Sequence, residues 1–204
     1  MAVITISRQF GAGGWTLGER LSRKLGYRYV HEDMIREVAA KAKVSPTRIK
    51  TIEKRGASKL MKFLDKVVTT SYVDRILSDK YGFVDEKTYV DVVKKIIQEL
   101  HEEGNVVIIG RGSQYVLRGY EDVWKILLVG DLEYRIDFFK NRFKLSRSEA
   151  ENAVKRRDQI RSRFLNFFLE AESHNDPLTY DMVLNMTRLS MEQAEKMALT
   201  LISR

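Results

Sequence analysis

Cysteine is absent from the 204-residue chain, which excludes both a disulfide framework and a metal site built on thiolates. The absence is compatible with a reducing cytoplasm, where we expect the protein to act. Only two prolines and twelve glycines are present, too few for a disordered or fibrous protein. No window approaches the long uncharged run that a membrane span needs, and the apolar opening at residues 1–4 is too short for a signal peptide. We therefore expect a soluble, folded protein.

Acidic residues are outnumbered, with 28 Asp and Glu against 36 Lys and Arg, which gives a net charge of +8. This excess suits a polyanionic ligand, either nucleic acid or a smaller phosphate compound. It is concentrated between residues 135 and 163, where ten basic residues face only four acidic ones. The alternative interpretation of such a run is a solvated helix surface.

Strand and helix patterns alternate along the chain. Short apolar, β-branched runs predict buried strands at residues 3–6, 27–30, 106–109, 124–129 and 182–185. Apolar periodicity and capping signals predict helices at residues 16–25, 32–43 and 86–103, from about residue 132, and after capping boxes at 146–149 and 190–193. The basic helix that begins at 146 is expected to end at Asp176-Pro177. This alternation predicts one α/β domain over residues 1–204, with a parallel sheet, helices on both faces and a helical insertion at about 45–85.

A glycine-rich segment, residues 7–16, joins the first predicted strand to the first helix. Ligands of parallel α/β sheets bind at the carboxyl ends of strands, where glycines let the backbone approach an anion. Backbone N–H groups and the helix N-terminus would then act as donors. The segment predicts a phosphate-binding site formed by Gly11, Ala12, Gly13, Gly14, Trp15 and Thr16. The Thr16 hydroxyl is a candidate ligand of Mg²⁺.

The lysine of the usual phosphate-loop pattern, G-x-x-x-x-G-K-[ST], is missing. Aligning Gly13 with the second glycine puts Arg8 at the first glycine and Gly14 at the lysine. Our hypothesis is that Arg8 supplies the lost charge, because a guanidinium group can bind phosphate at two points. The alternative is a tight turn that binds no ligand.

Two motifs together point to a family. Residues 7–14 read S-R-Q-F-G-A-G-G, and residues 180–187 read Y-D-M-V-L-N-M-T. The chain resembles cytidylate kinases, and more closely the cytidylate-kinase-like proteins whose phosphate loop reads S-R-Q-x-G-[SA]-G-G and whose last strand reads Y-D-L-V-I-N-T. The similarity extends over nearly the whole chain. It implies a P-loop nucleoside monophosphate kinase fold, with ATP and Mg²⁺ as cofactors and nucleotides as substrates.

The resemblance also implies residues that bind the acceptor nucleotide. Arg36, in the segment after the second strand, matches an arginine that reaches the nucleotide phosphate. Arg111, in the Gly110-Arg111-Gly112 motif after the strand at 106–109, matches an arginine that contacts the acceptor monophosphate. Asp158 matches an aspartate that holds the acceptor ribose.

Further arginines are implied to act on the transferred phosphate. Arg135 matches an arginine that reaches toward the phosphates from the start of a helix. The basic helix resembles a mobile lid, over about residues 146–173, which carries Arg157 and Arg161. Closure of such a helix would bring its arginines onto the developing charge and exclude water. For each lid arginine, the alternative is an ordinary solvated position.

Other residue clusters carry weaker signals. His31, His101 and His174 are scattered without metal-ligand spacing, and we predict solvated or capping roles for them. The apolar cluster at residues 164–169 suggests core packing, lid packing or a contact in a homodimer.

Three functions follow from these patterns. The first is an ATP-dependent phosphotransferase acting on a nucleoside monophosphate, with cytidylate as the first acceptor to test and another small acceptor as a variant. The second, motivated by the missing lysine, is a nucleotide-binding regulatory protein without catalysis. The third is a nucleic-acid binder, motivated by the net charge of +8. It ranks last, because no known nucleic-acid-binding module is recognisable.

Overall fold

The computed structural model describes residues 2–35, 86–170 and 173–203. The strands are β1 (Val3–Arg8), β2 (Arg28–Val30), β3 (Val106–Ile109), β4 (Val123–Val129) and β5 (Met182–Asn185). The α-helices whose two ends both lie in the described residues are α1 (Gly14–Leu25), α2 (Glu86–Glu103), α3 (Ser113–Val116), α4 (Leu132–Phe143), α5 (Arg147–Leu165) and α6 (Met191–Ile202). The predicted insertion at 45–85 lies outside the described residues, as does most of the helix predicted at 32–43.

All five strands pair in parallel, in the order β2-β3-β1-β4-β5. The predicted parallel sheet is therefore confirmed. β1 runs two residues further than predicted, because Ser7 and Arg8 continue the pairing with Leu127 and Leu128 of β4. The carboxyl ends of β1, β3 and β4 consequently meet at one edge of the sheet.

Helices cover both faces of the sheet, as predicted. Val3 of β1 belongs to a core shared with α2, whereas Ile4 and Ile6 belong to a core shared with α1 and α6. Residues 106–109 alternate in the same way and are buried throughout, as expected for a strand covered on both faces. In the described part of the chain, no helix is long and apolar enough to cross a membrane.

Two helix boundaries differ from the predictions. α1 begins at Gly14 rather than Thr16, because Gly13 already provides the left-handed N-cap residue, with φ 85°. The capping box at Ser146 is confirmed, but α5 ends at Leu165 instead of continuing to Asp176-Pro177. The chain turns at residues 166–168, where Phe168 packs into the core beside α2. Tertiary packing, rather than the proline, therefore ends this helix.

A third, smaller core joins the phosphate loop to the α4–α5 pair. Ile136 and Phe139 of α4 are buried against Val154 of α5, and Phe10 of the loop packs onto them. The Phe10 and Phe139 rings meet edge to face, with centroids 4.9 Å apart. A movement of α5 would therefore also displace Phe10 and the phosphate loop that carries it.

Candidate functional site

The turn between β1 and α1 has the geometry of an anion cradle. Gly11 and Gly13 both adopt φ 85°, in the left-handed region that glycine tolerates. A Cβ at Gly11 would lie 2.6 Å from the carbonyl oxygen of Arg135, so the loop backbone is pressed directly against α4. The first N–H groups of α1 have no acceptor within their own helix, and Gly13 has no side chain to cap them. They are therefore positioned to donate to an anion.

The Arg8 side chain occupies the space beside Gly14. A Cβ built on Gly14 would lie 3.0 to 3.1 Å from the Cβ, Cγ and Cδ atoms of Arg8. The guanidinium group then packs over Gly110, and its Nη2 atom lies 2.8 Å from Oε2 of Glu32. The structure thus brings Arg8 next to the position where the usual phosphate loop has lysine.

An arginine pocket of about 60 Å³ lies at the carboxyl edge of the sheet, beneath α5. Arg8, Arg111, Arg157 and Arg161 line it, and Glu32 is the one carboxylate among the described residues that line it. Burial raises the pKa of Glu32, but Arg8, and then Arg111 and Arg157, outweigh that effect and lower the pKa to about 2. Within the described residues, four guanidinium groups therefore line the pocket together with one ionised carboxylate. Such a pocket attracts a phosphate.

Arg111 is aimed into this pocket by an unusual backbone. Gly110, Arg111 and Gly112 adopt φ 71°, 56° and 72°, so three successive residues are left-handed. For a residue with a side chain this conformation costs about 1 kcal/mol, a strain typical of functional sites. The Arg111 guanidinium lies over the Phe164 ring, 4.8 Å from its centroid.

Arg161 enters the pocket from α5 with neutral partners. It donates to Ser7 Oγ and Asn175 Oδ1, each at 3.0 Å, and to the carbonyl oxygen of His174 at 3.2 Å. Burial lowers its pKa. In the described part of the chain, no carboxylate forms a salt bridge with it, so its charge remains available to an anion.

Asp158 and Arg135 connect α5 to the phosphate loop. Asp158 accepts from the Phe10 backbone N–H at 2.9 Å and from Nη1 of Arg135. Arg135, which is 7% exposed, also donates to the carbonyl oxygens of Phe10 at 3.1 Å and Gly130 at 2.9 Å. Of the predicted arginines that the structure describes, Arg135 alone lines neither this pocket nor the one beside it.

That second pocket, of about 350 Å³, follows the phosphate loop. Its lining residues are Arg8, Phe10, Gly11, Gly13, Gly14, Trp15, Thr16, Glu19, Tyr29, His31, Phe138, Phe139, Arg142 and Phe143. Arg8 and Phe10 line both pockets and therefore stand between them. Trp15 takes the position where the strict spacing has Ser or Thr, and the Thr16 hydroxyl follows one residue later. Ala12 is buried and lines neither pocket.

Residues 3–188 match the cytidylate kinase-like family. The chain belongs to this family. Its membership supports a phosphotransferase, and the five-stranded parallel sheet is that of the P-loop kinases. No curated protein matches the chain by sequence.

Solved structures similar to this family member share its fold. An uncharacterized protein from Eubacterium ventriosum ATCC 27560 is 18% identical with a TM-score of 0.71, over 100% of this chain and 99% of that one. A gluconokinase from Sinorhizobium meliloti 1021 is 14% identical with a TM-score of 0.53, over 100% and 92%. A shikimate kinase from Bacteroides thetaiotaomicron is 14% identical with a TM-score of 0.51, over 100% and 99%. At these identities the likeness shows the fold alone.

In this kinase-like protein, most of the predicted site residues surround the two pockets. Arg8, Arg111, Arg157 and Arg161 meet in the arginine pocket, and the glycine-rich loop borders the second pocket. Arg36 lies outside the described residues.

Sequence reasoning missed two members of the site. Glu32, the partner of Arg8, follows β2 directly, and its position at a strand end was the signal that could have identified it. His174 was predicted to be solvated or capping, and the solvated alternative was wrong. It is only 3% exposed, because its ring is hydrogen-bonded to Tyr115 and Asn166 inside the protein.

Proposed function

We propose that the protein is a cytoplasmic, ATP-dependent nucleoside monophosphate kinase, with cytidylate as the acceptor to test first. The observation that carries the proposal is the place of Arg8. It stands between the phosphate-loop pocket and the arginine pocket, where a phosphoryl group would pass from a donor to an acceptor. Phosphoryl transfer needs charge compensation, alignment and exclusion of water, and little covalent chemistry from the protein.

On the donor side, Gly11 to Thr16 would hold the phosphates of ATP. The left-handed glycines and the uncapped N-terminus of α1 fit that role. Within the described residues, no cluster of three acidic or histidine side chains could hold a metal. This fits Mg²⁺, which commonly takes few protein ligands together with substrate phosphates and water, and the Thr16 hydroxyl would be its ligand here. When bound, Mg²⁺ neutralises charge that develops on the phosphates.

On the acceptor side, Arg111, Arg157 and Arg161 would hold the phosphate of the monophosphate, together with Arg36. Asp158 would hold the acceptor ribose once a lid movement of α5 had released it from the Phe10 N–H. Arg135, freed from Asp158 by the same movement, would reach the transferred phosphate. These roles explain why so many cations converge on one small pocket.

A coupled assay of ADP formation, run with each nucleoside monophosphate and with gluconate and shikimate, tests the proposal. We expect turnover with a monophosphate, strongest with cytidylate. Arg111→Ala should abolish most of this turnover, whereas Arg118→Ala, an exposed arginine outside both pockets, should not. Absence of turnover with every acceptor would refute the kinase. Turnover with only gluconate or shikimate would reassign the acceptor.

A second candidate is a nucleotide-binding regulator without catalysis. The observation in its favour is Gly14, which leaves the helix without the usual phosphate-loop lysine. If ATP raises the thermal midpoint while no acceptor supports transfer, this candidate replaces the first.

A further inference from the structure

His174 is the centre of a buried polar network behind the arginine pocket. Its Nδ1 atom lies 2.8 Å from the Tyr115 hydroxyl on α3, and its Nε2 atom lies 2.7 Å from Oδ1 of Asn166, just after α5. The Asn166 oxygen can only accept, so Nε2 carries the proton, and Nδ1 accepts from Tyr115. A neutral imidazole satisfies both partners.

The backbone of His174 contacts Arg161, which lines the arginine pocket. The carbonyl oxygen of His174 accepts from Arg161 at 3.2 Å and from the Tyr180 hydroxyl at 2.8 Å. The next residue, Asn175, accepts from the other terminal nitrogen of Arg161 at 3.0 Å. Among the described residues, two of the three acceptors of this guanidinium therefore belong to one short segment. The imidazole ring fastens that segment to α3 and to the end of α5.

We propose that His174 is a positioning residue that, through its ring contacts, fixes the Arg161 guanidinium against Ser7 for binding of the acceptor phosphate. The ring itself does not line the arginine pocket, so it acts only through Arg161. The role in acceptor binding rests on the proposed kinase function, whereas the control of Arg161 does not.

The surroundings of the ring agree with a neutral histidine. Burial lowers the pKa of His174, and the nearby Arg161 lowers it further. A protonated ring would place a second cation beneath Arg161. With a neutral imidazole ring, Arg161 carries the only charge of this His174–Arg161 pair.

The first test is a crystal structure of His174→Ala. We expect the Arg161 guanidinium to leave Ser7 Oγ, because the segment that carries two of its acceptors has lost its ring contacts. If Arg161 stays within hydrogen-bond distance of Ser7, the proposal is overturned. This readout needs no ligand, so it decides the positioning role even if the kinase function proves wrong.

The second test is calorimetry with CMP on His174→Ala, Arg161→Ala and the double variant. We expect His174→Ala to weaken CMP binding about tenfold, the size of one lost hydrogen bond to a charged group. The double variant should bind no more weakly than Arg161→Ala, although its thermal midpoint should fall further. A purely structural histidine would instead weaken binding by the same factor in both backgrounds, which would contradict the proposal.

Two further variants complete the experiment. His174→Gln offers one amide donor and one acceptor in place of the ring nitrogens, and it should recover part of the CMP affinity. His101→Ala is the matched control, because His101 is also hydrogen-bonded, to Asp122 at 2.9 Å, but lies at the opposite edge of the sheet. It should leave CMP affinity unchanged. If wild type shows no heat with CMP, cytidylate is excluded as the acceptor, and the crystal structure alone decides the positioning role.

Discussion

The Arg8 side chain fills the space that a side chain at Gly14 would need. The side-chain carbons of Arg8 lie 3.0 to 3.1 Å from the place that a Cβ would take at Gly14, closer than ordinary van der Waals contact. The arginine cannot easily retreat, because Glu32 holds its guanidinium at 2.8 Å. A lysine at position 14 and this arginine therefore interfere sterically. The loop carries its cation on β1 instead of on α1.

Gly14→Lys should destabilise the protein rather than repair it. We expect the free energy of unfolding to fall by about 1–3 kcal/mol, the usual cost of overpacking, as measured by urea denaturation. In an Arg8→Ala background, the same substitution should cost clearly less, because the clashing side chain has been removed. Equal costs in the two backgrounds would show that the two side chains do not compete for this space.

Arg8→Ala should lower kcat in the coupled assay by roughly 10²–10³, the loss typical when a charge-stabilising donor is removed. The kcat of Arg8→Lys should lie between those of wild type and Arg8→Ala, because lysine keeps the charge but loses the two-point geometry of the guanidinium group. Arg23→Ala is the control, since Arg23 is an exposed residue that pairs with Glu19 on α1. Unchanged turnover in Arg8→Ala would exclude a catalytic role for this arginine.

The parts of the fold that local patterns specify were predicted well. The continuous apolar run at residues 106–109 and the apolar stripe at 86–103 gave the bounds of β3 and α2 as the structure has them. Each of these signals lies within a single secondary-structure element. Arg8 and Gly14 are also close in sequence, and aligning them with the phosphate-loop pattern led to the hypothesis that Arg8 supplies the charge of the missing lysine.

The contacts that organise the site could not be predicted in this way. Asp158 and the Phe10 N–H are 148 positions apart, and Tyr115 and His174 are 59 apart. Such partners are chosen by the tertiary fold, and a single sequence holds no local trace of them. A lone histidine gives the same signal whether it is solvated or buried. Residue type alone therefore could not show that His174 is buried.

Gly11→Ala should disrupt the phosphate loop. Its Cβ would need to lie 2.6 Å from the carbonyl oxygen of Arg135, so the backbone must shift. Gly119→Ala is a close control, because the φ of Gly119 is 90° and that of Gly11 is 85°. A Cβ built at Gly119 would have no heavy atom within 4 Å. We expect Gly119→Ala to cost about 1 kcal/mol from the left-handed conformation alone. Gly11→Ala should cost more and also weaken ATP binding by calorimetry. Equal stability losses would argue against the close approach of the loop to α4.

Asp158→Asn should loosen α5 from the phosphate loop. The change leaves Arg135, 7% exposed, without its carboxylate partner, and breaking a buried pair from one side costs about 3–5 kcal/mol. Because Asp158 is about one-third exposed, we expect less, about 1–3 kcal/mol. Hydrogen exchange of the Phe10 amide should accelerate, since its acceptor is weakened. Glu151→Gln, at an exposed pair on the same helix, should leave that amide unchanged.

The Glu32 ion pair should make stability fall at acidic pH. The pKa of Glu32 is lowered from 4.5 to about 2 in the folded protein, because Arg8 and Arg111 outweigh the opposing effect of burial. The unfolded chain therefore binds this proton more readily than the folded one. The stabilisation is complete above about pH 4.5 and is lost as pH falls toward about 2.

Glu32→Gln isolates this contribution. At pH 7 the variant should be less stable than wild type by about 2–3 kcal/mol, because three arginines lose their shared anion. The difference, measured by urea denaturation from pH 7 to pH 3, should shrink below about pH 4.5 as wild type loses its advantage. Glu133→Gln, which removes the exposed partner of Arg147, should show only a small difference at any pH. A gap between Glu32→Gln and wild type that stayed constant down to pH 3 would mean that the carboxylate is not held ionised by these arginines.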